Sequence, residues 1–210
     1  MKRQLSVLLL AGLMTIPVGL MAQKVYKESG SNKVILEMTF ASGMPDGAQT
    51  NSSKTAVYDL YTPTNNTSWL INATDNLQSG YLNATVYEKL EIAPLEMSSA
   101  SSSTLGAGVA MDWQNAFLRC KGLTYNTRTG WRLPTQRELM MMWIFKGALD
   151  EIFKDMGNNS STALPFDAYN YWCSPESGTG HAWYVYFDNG RATYNLKTTS
   201  GIRVRCVREE

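Results

Sequence analysis

One histidine, His181, and three cysteines, Cys120, Cys173 and Cys206, are the only residues of their kinds in this 210-residue sequence. A catalytic base or a metal ligand needs company, and no second histidine supplies it. A thiol nucleophile at Cys173 working with His181 would be sound chemistry. Nothing in the spacing places the two together, however, and no third group is evident to orient them. No Ser-His-Asp set, phosphate loop or His-rich metal motif is present. Calcium takes oxygen ligands, and Ser174-Pro175-Glu176 with Asp188-Asn189 are the nearest supply. The second pair reads better as a hairpin turn. No cofactor is therefore called for, calcium is left open, and no enzyme is expected.

The sequence offers more to a binder. Tyr169, Tyr171, Trp172, Trp183, Tyr184, Tyr186 and Tyr194 crowd one region. Such rings combine a flat apolar face with a polar edge, which suits the faces of sugars. A strand buries alternate residues, so about half of them belong to a core, and Trp172 and Trp183 are assigned there. "SPESGTGH", residues 174–181, is Gly-rich and is read as an exposed loop. The expected ligand-binding residues are Tyr169, Asn170, Glu176, His181 and Arg191. Arg203, Arg205 and Arg208 form a basic stripe on the last strand, read as a solvated sheet face, with contact to an acidic polysaccharide as its functional alternative.

These residues must be positioned by a scaffold whose signals are plain. In "MDWQNAFLRCKG" Asp112 is a good N-cap, and Trp113, Ala116, Phe117 and Cys120 form one stripe at i, i+3, i+4 and i+7. Gly122 ends that helix. "TGWRLPTQREL" follows. Pro134 keeps Leu133 extended, and Thr135 with Glu138 makes a capping box. A second apolar helix runs on from there, interrupted at Gly147. Leu139, Met142, Trp143 and Leu149 suit its core face, and Met140, Met141, Ile144 and Phe145 widen that face. "AWYVYF" and "RATYNL" are strands joined by an Asp188-Asn189-Gly190 turn. In "GIRVRCVRE", Ile202, Val204 and Cys206 share one face.

That alternation bears on the cysteines. Cys120 and Cys206 both lie on core faces, so a helix packed on that sheet brings them together as a disulfide, leaving Cys173 free. Closing so long a loop contributes roughly 4 to 5 kcal/mol in the chain-entropy model.

Further upstream the text changes character. "KVILEMTF" (33–40), "TAVYDLYT" (55–62), "SWLINAT" and "YLNATVYEKLEI" are short β-forming runs between turn clusters. The expected organisation is a signal peptide over 1–22, a β-rich N-terminal domain over 24–97, a Ser/Gly linker over 98–108 and a further domain over 109–210. Lys2 and Arg3, an apolar run from Leu5 and a small residue at Ala22 are the layout of a leader for export. The remaining 17 basic and 18 acidic residues make no electrostatic case for nucleic acid. No transmembrane segment is expected in the mature chain.

As a set, "MDWQNAFLRC", "TGWRLPTQREL", "YWCSPE", "HAWYVYFDNG" and "RVRCVRE" resemble the secreted bacterial domains named after the C-terminal region of a Legionella collagen-like protein. The resemblance covers Gly106 to Glu210. It implies an α+β chain with a C-type-lectin-like C-terminal domain, a disulfide from the first helix to the last strand, and a ligand loop near 174–181. Many such domains read Trp-Ser-Ser where this chain has Trp172-Cys173-Ser174. The resemblance further implies a non-catalytic adhesion protein, secreted to the periplasm or outer surface of a Gram-negative bacterium. Its partners would be an extracellular glycan, a matrix protein or fimbrial subunits, and a minor or tip subunit of a fimbrium is the structural alternative. The formylglycine-generating enzymes share a similar "RLPTE" phrase. Their chemistry needs paired reactive cysteines, which a Cys120–Cys206 bridge would remove.

Overall fold

A computed structural model describes residues 24–37, 89–156, 163, 165–178 and 180–210. The signal-peptide reading and the strands expected between 38 and 88 lie outside the described residues.

The architecture is α+β, with antiparallel sheets and three helices among the described residues. Strands β1 (Lys24–Lys27), β2 (Val34–Glu37), β3 (Lys89–Ile92) and β9 (Val207–Glu209) form one sheet in the order β1-β2-β3-β9. The strand nearest the carboxyl end thus pairs with one from before the serine run, with Ile92 opposite Val207. β4 (Glu96–Met97) and β5 (Leu105–Gly106) make a short hairpin, and the serine run is its loop, tied by Ser98 N–H to Thr104 O at 2.9 Å.

Helix α1 (Trp113–Lys121) starts and stops where its signals lie. The Asp112 carboxylate accepts from Asn115 N–H at 2.9 Å, and Gly122 is the C-cap. Its buried residues are the expected stripe: Trp113, Ala116, Phe117 and Cys120. Helix α2 (Gln136–Ile144) carries the complete capping box of Thr135 and Glu138. The break in the helical run comes earlier than Gly147. Phe145 (φ −92°, ψ 10°) ends α2, and α3 (Lys146–Met156) includes Gly147. This turn lets Leu149 and Phe153 reach the same core as Leu139 and Met142, and it leaves Ile144 59% exposed instead of on a core face.

β6 (Asn170–Gly178), β7 (His181–Tyr186) and β8 (Ala192–Leu196) form the second main sheet, in that order. The β7–β8 turn is the expected one. Gly190 adopts φ +74° beneath the Trp143 ring, which a Cβ there would meet at 2.6 Å. This sheet separates two hydrophobic cores. Trp172, Ala182 and Tyr184 face α1 and the disulfide, while Tyr171, Cys173 and Val185 face α2, α3 and the β1–β2–β3 strands. Both faces of the central strands are therefore dry along most of their length. Cys120 and Cys206 are bridged, with Cα atoms 5.5 Å apart, inside the first core, and Cys173 is a buried free thiol in the second.

Candidate functional site

The motif "GWRLPTQREL" is a structural joint. Arg132 donates two hydrogen bonds to the Glu138 carboxylate, at 2.7 and 2.6 Å, and the same carboxylate accepts from Thr135 N–H at 2.8 Å. Trp131 and Leu133 are core residues, and Pro134 O accepts from Ser174 N–H at 2.7 Å. Arg132, Thr135 and Glu138 are thus occupied in fixing the start of α2. The indoles of Trp113 and Trp172 are similarly committed: they donate to Cys173 O at 2.7 Å and to Met111 O at 2.9 Å.

The region expected to be an exposed loop, 174–181, is mostly strand. β6 runs to Gly178 and pairs with β7, and its register shifts on both sides of Glu176. Such bulges re-aim a side chain. Glu176 is turned inward and pairs with the ammonium of Lys197, both being at most 2% exposed, with the Trp113 ring centroid 4.9 Å from Lys197 Nζ. Burial pushes the Glu176 carboxyl above the usual carboxylate range, against the opposing pull of the Lys197 ammonium.

The arginine stripe also differs from its reading as a solvated face. Arg205 is fully buried. Its guanidinium donates to Ala93 O (3.1 Å) and Pro94 O (2.9 Å) and lies 4.5 Å from the Phe166 ring centroid. Arg203 donates to Glu96 at 2.8 Å and packs 3.6 Å from the exposed Tyr169 ring, and Gly108 (φ +82°) leaves room for that pair. Glu96 also reaches Arg205 at 3.6 Å and accepts from the Tyr171 hydroxyl. Arg208 pairs with buried Glu91 at 2.7 Å and with Glu210, and Glu91 pairs with Arg128 at 2.7 Å. Arg203 and Arg205 alternate away from Ile202, Val204 and Cys206 as expected. The side they face is packed against the second core, and buried Glu96 together with the backbone carbonyls of Ala93 and Pro94 makes the placement of Arg205 tolerable.

Of the five expected ligand residues, Tyr169 is exposed and Asn170 begins β6 with its carbonyl accepting from Arg203 N–H at 2.8 Å. Arg191 sits at the end of the turn, 4.6 Å from the Tyr186 ring. His181 opens β7 on the opposite face of the sheet from Tyr186. The five are thus spread over both faces and the interior. Tyr186 belongs to a polar edge of its own. The Tyr184 hydroxyl donates to it at 2.7 Å, and this bond together with Arg191 holds the Tyr186 phenol below its ordinary range. Burial pushes Tyr184 up to about 12.

His181 does have neighbours that could bind. Register places Trp183 opposite Tyr194 and His181 opposite Leu196, so these four share one face of β7 and β8. Tyr194 is 56% and Leu196 51% exposed. The Tyr194 ring meets His181 edge-on at 5.6 Å and Trp183 at 5.7 Å. Trp183, read as a core residue, is only partly buried and forms the floor of this patch. Tyr194 was in the aromatic group read from sequence but not among the expected ligand residues. Its period-two partnership with Leu196 on an edge strand is the signal that marks it. Among the described residues β8 pairs with β7 alone. The arrangement can stack against a flat, partly apolar surface and offer hydroxyl and imidazole hydrogen bonds at its rim.

Nucleophilic chemistry finds little support in the surroundings of Cys173. Burial, and next to it the negative charge of Glu138, push the thiol well above its ordinary range, which opposes formation of a thiolate. Among the described residues no group of three or more His, Cys, Asp or Glu side chains is placed to hold a metal ion. No described helix is long and apolar enough to cross a membrane.

A family model described as the Lcl C-terminal domain matches residues 65–208. The match begins well ahead of Gly106 and takes in β3, which pairs with β9. No curated protein matches the chain.

Proposed function

The chain belongs to the Lcl C-terminal domain family, and from that premise we propose that it is an exported, non-catalytic binding protein of the bacterial surface, with a C-type-lectin-like core that recognises a carbohydrate or matrix ligand. The observation that carries this reading is the exposed ring and side chain of Tyr194 and Leu196 over Trp183 and His181. Apolar surface of this kind on a rigid sheet marks a binding face when its ring edges are polar. The rest of the molecule supports it. The bridged Cys120–Cys206 pair suits an oxidising compartment, and the leader-like residues 1–22 suit export. Cys173 is sealed away from any substrate.

The test is a glycan and matrix-protein array probed with the exported chain, with and without calcium. Retention on at least one ligand class, weakened by Tyr194→Ala, is the expected result. No retention on any class, or rapid modification of Cys173 by a thiol reagent in the native protein, would overturn the proposal.

The outer edge of β8 favours a second reading, assembly into a fimbrium. Among the described residues that edge is unpaired, and such an edge accepts a strand from another chain. Co-purification with filaments, abolished by Ala192→Pro at an outward-facing N–H of β8, would favour assembly over ligand binding.

A further inference from the structure

We propose that the β7–β8 face takes an uncharged glycan, through the apolar side of a pyranose ring, and not the acidic polysaccharide that a basic stripe would suggest. This rests on the binding reading above and names the ligand class of that same site.

The argument starts from the cations. An anionic polymer is held by lysine and arginine side chains whose charge is not already neutralised, because stripping water from a sulfate or carboxylate is costly unless a cation replaces it. The three arginines that the sequence sets out as a stripe are all engaged by carboxylates: Arg203 and the buried Arg205 share Glu96, and Arg208 pairs with Glu91 and Glu210. The two cations bracketing β8 are also turned from the exposed patch. Arg191 stacks on Tyr186, whose side chain lies on the other face of β7, and Lys197 is buried against Glu176.

The patch itself has the opposite chemistry. None of His181, Trp183, Tyr194 and Leu196 is a lysine, arginine, aspartate or glutamate. Tyr194 and Leu196 stand two residues apart on one face of a strand, about 6–7 Å along it, a span suited to one or two sugar rings. A pyranose with mostly equatorial hydroxyls carries C–H groups on its faces and hydroxyls at its rim. That pattern matches an aromatic and aliphatic floor edged by the Tyr194 hydroxyl and the His181 ring. Because β8 is an edge strand among the described residues, a polymer can run past the site without entering a closed pocket.

The experiment uses the exported chain and four soluble probes: a β-glucan oligosaccharide and an N-acetylglucosamine oligomer as uncharged ligands, heparin and hyaluronan as acidic ones. Binding is followed by calorimetry at about 0.15 M and about 1 M salt, a range over which exposed charge–charge attraction is strongly screened. The expected result is binding of an uncharged probe that changes less than twofold with salt. It should weaken roughly tenfold in Tyr194→Ala and be retained in Tyr194→Trp, with thermal melting confirming that both variants fold. Binding confined to heparin or hyaluronan, lost at high salt and indifferent to Tyr194→Ala, would overturn this proposal while leaving the binding reading intact. A concentration-dependent dimer that disappears in Tyr194→Ala would overturn it too, since a second copy would then occupy the face. Failure to bind any of the four probes or any matrix protein would overturn both readings together.

Discussion

Replacing Glu176 by Gln keeps the shape of the side chain and removes its charge. Lys197 would then hold an ammonium that is 1% exposed and deprived of the carboxylate charge of Glu176, facing the Trp113 ring. Breaking a buried pair on one side costs about 3–5 kcal/mol, because the surviving charge keeps its desolvation penalty and loses its compensation. In a chain of this size each kcal/mol lowers the melting temperature by about 2–4 °C, so the drop expected for Glu176→Gln is roughly 6–20 °C. Lys197→Met differs in an instructive way. The carboxyl left behind is already pushed upward by burial, so it can shed its charge by taking a proton. Its cost therefore shrinks as pH falls, whereas that of Glu176→Gln does not. Replacing both, as Glu176→Leu with Lys197→Met, should return stability to within about 1 kcal/mol of the parent or exceed it. Urea denaturation of the four proteins at two pH values measures each of these costs. If each single change costs less than about 1 kcal/mol, or if the double change costs the sum of the singles, the pair is solvated and the reasoning fails.

Three further outcomes are expected. Removing the bridge as Cys120→Ala with Cys206→Ala frees a loop with a sequence separation of 86 and should lower stability by about 4–5 kcal/mol in the chain-entropy model, read as a fall in the denaturation midpoint with a steeper slope, because the unbridged denatured chain is more expanded. Gly190→Ala forces a Cβ to within 2.6 Å of the Trp143 ring at a left-handed backbone position, so it should cost about 1–3 kcal/mol, while Gly130→Ala, also left-handed but in open space, should cost less. Alkaline titration followed by tyrosinate absorbance should show Tyr186 ionising ahead of Tyr184, and Tyr186→Phe should remove that early step. Because Tyr184 is pushed up to about 12, its contribution to stability is complete below the ordinary tyrosine range near 10 and is lost as pH rises through 12.

Local signals were the legible part of this fold. The caps at Asp112 and Thr135, the stop at Gly122, the turn at Gly190 and the core faces that join Cys120 to Cys206 are each specified within a few residues. Arg205 and Glu176 were misjudged for a shared reason. Period-two alternation tells which residues share a face, but not whether the opposite face meets water or a second core. Arg205 lies opposite Val204 and Cys206 and still faces packed rings, and the residues that make this bearable, Ala93, Pro94 and Glu96, are more than 100 positions away in the chain. Glu176 looked exposed because Gly and Ser surround it, while its partner Lys197 comes 21 residues later, after a whole hairpin. The break at Phe145 had no Gly or Pro to announce it; tertiary packing of Leu149 and Phe153 decides it. The proposed binding face was half legible: the aromatic cluster was evident, but choosing Tyr194 over Tyr171 required knowing which strand is the outer one among the described residues.

The placement of β9 sets the order in which the molecule can be completed. Val207 fills the second core, closes the sheet against β3 and ties down Arg132, while its neighbour Cys206 supplies half of the covalent bridge. All other described strands and helices precede this one in the chain, so both hydrophobic layers stay open until it docks. The covalent fastening of Cys206 to Cys120 then holds that seal shut from the inside of the first core.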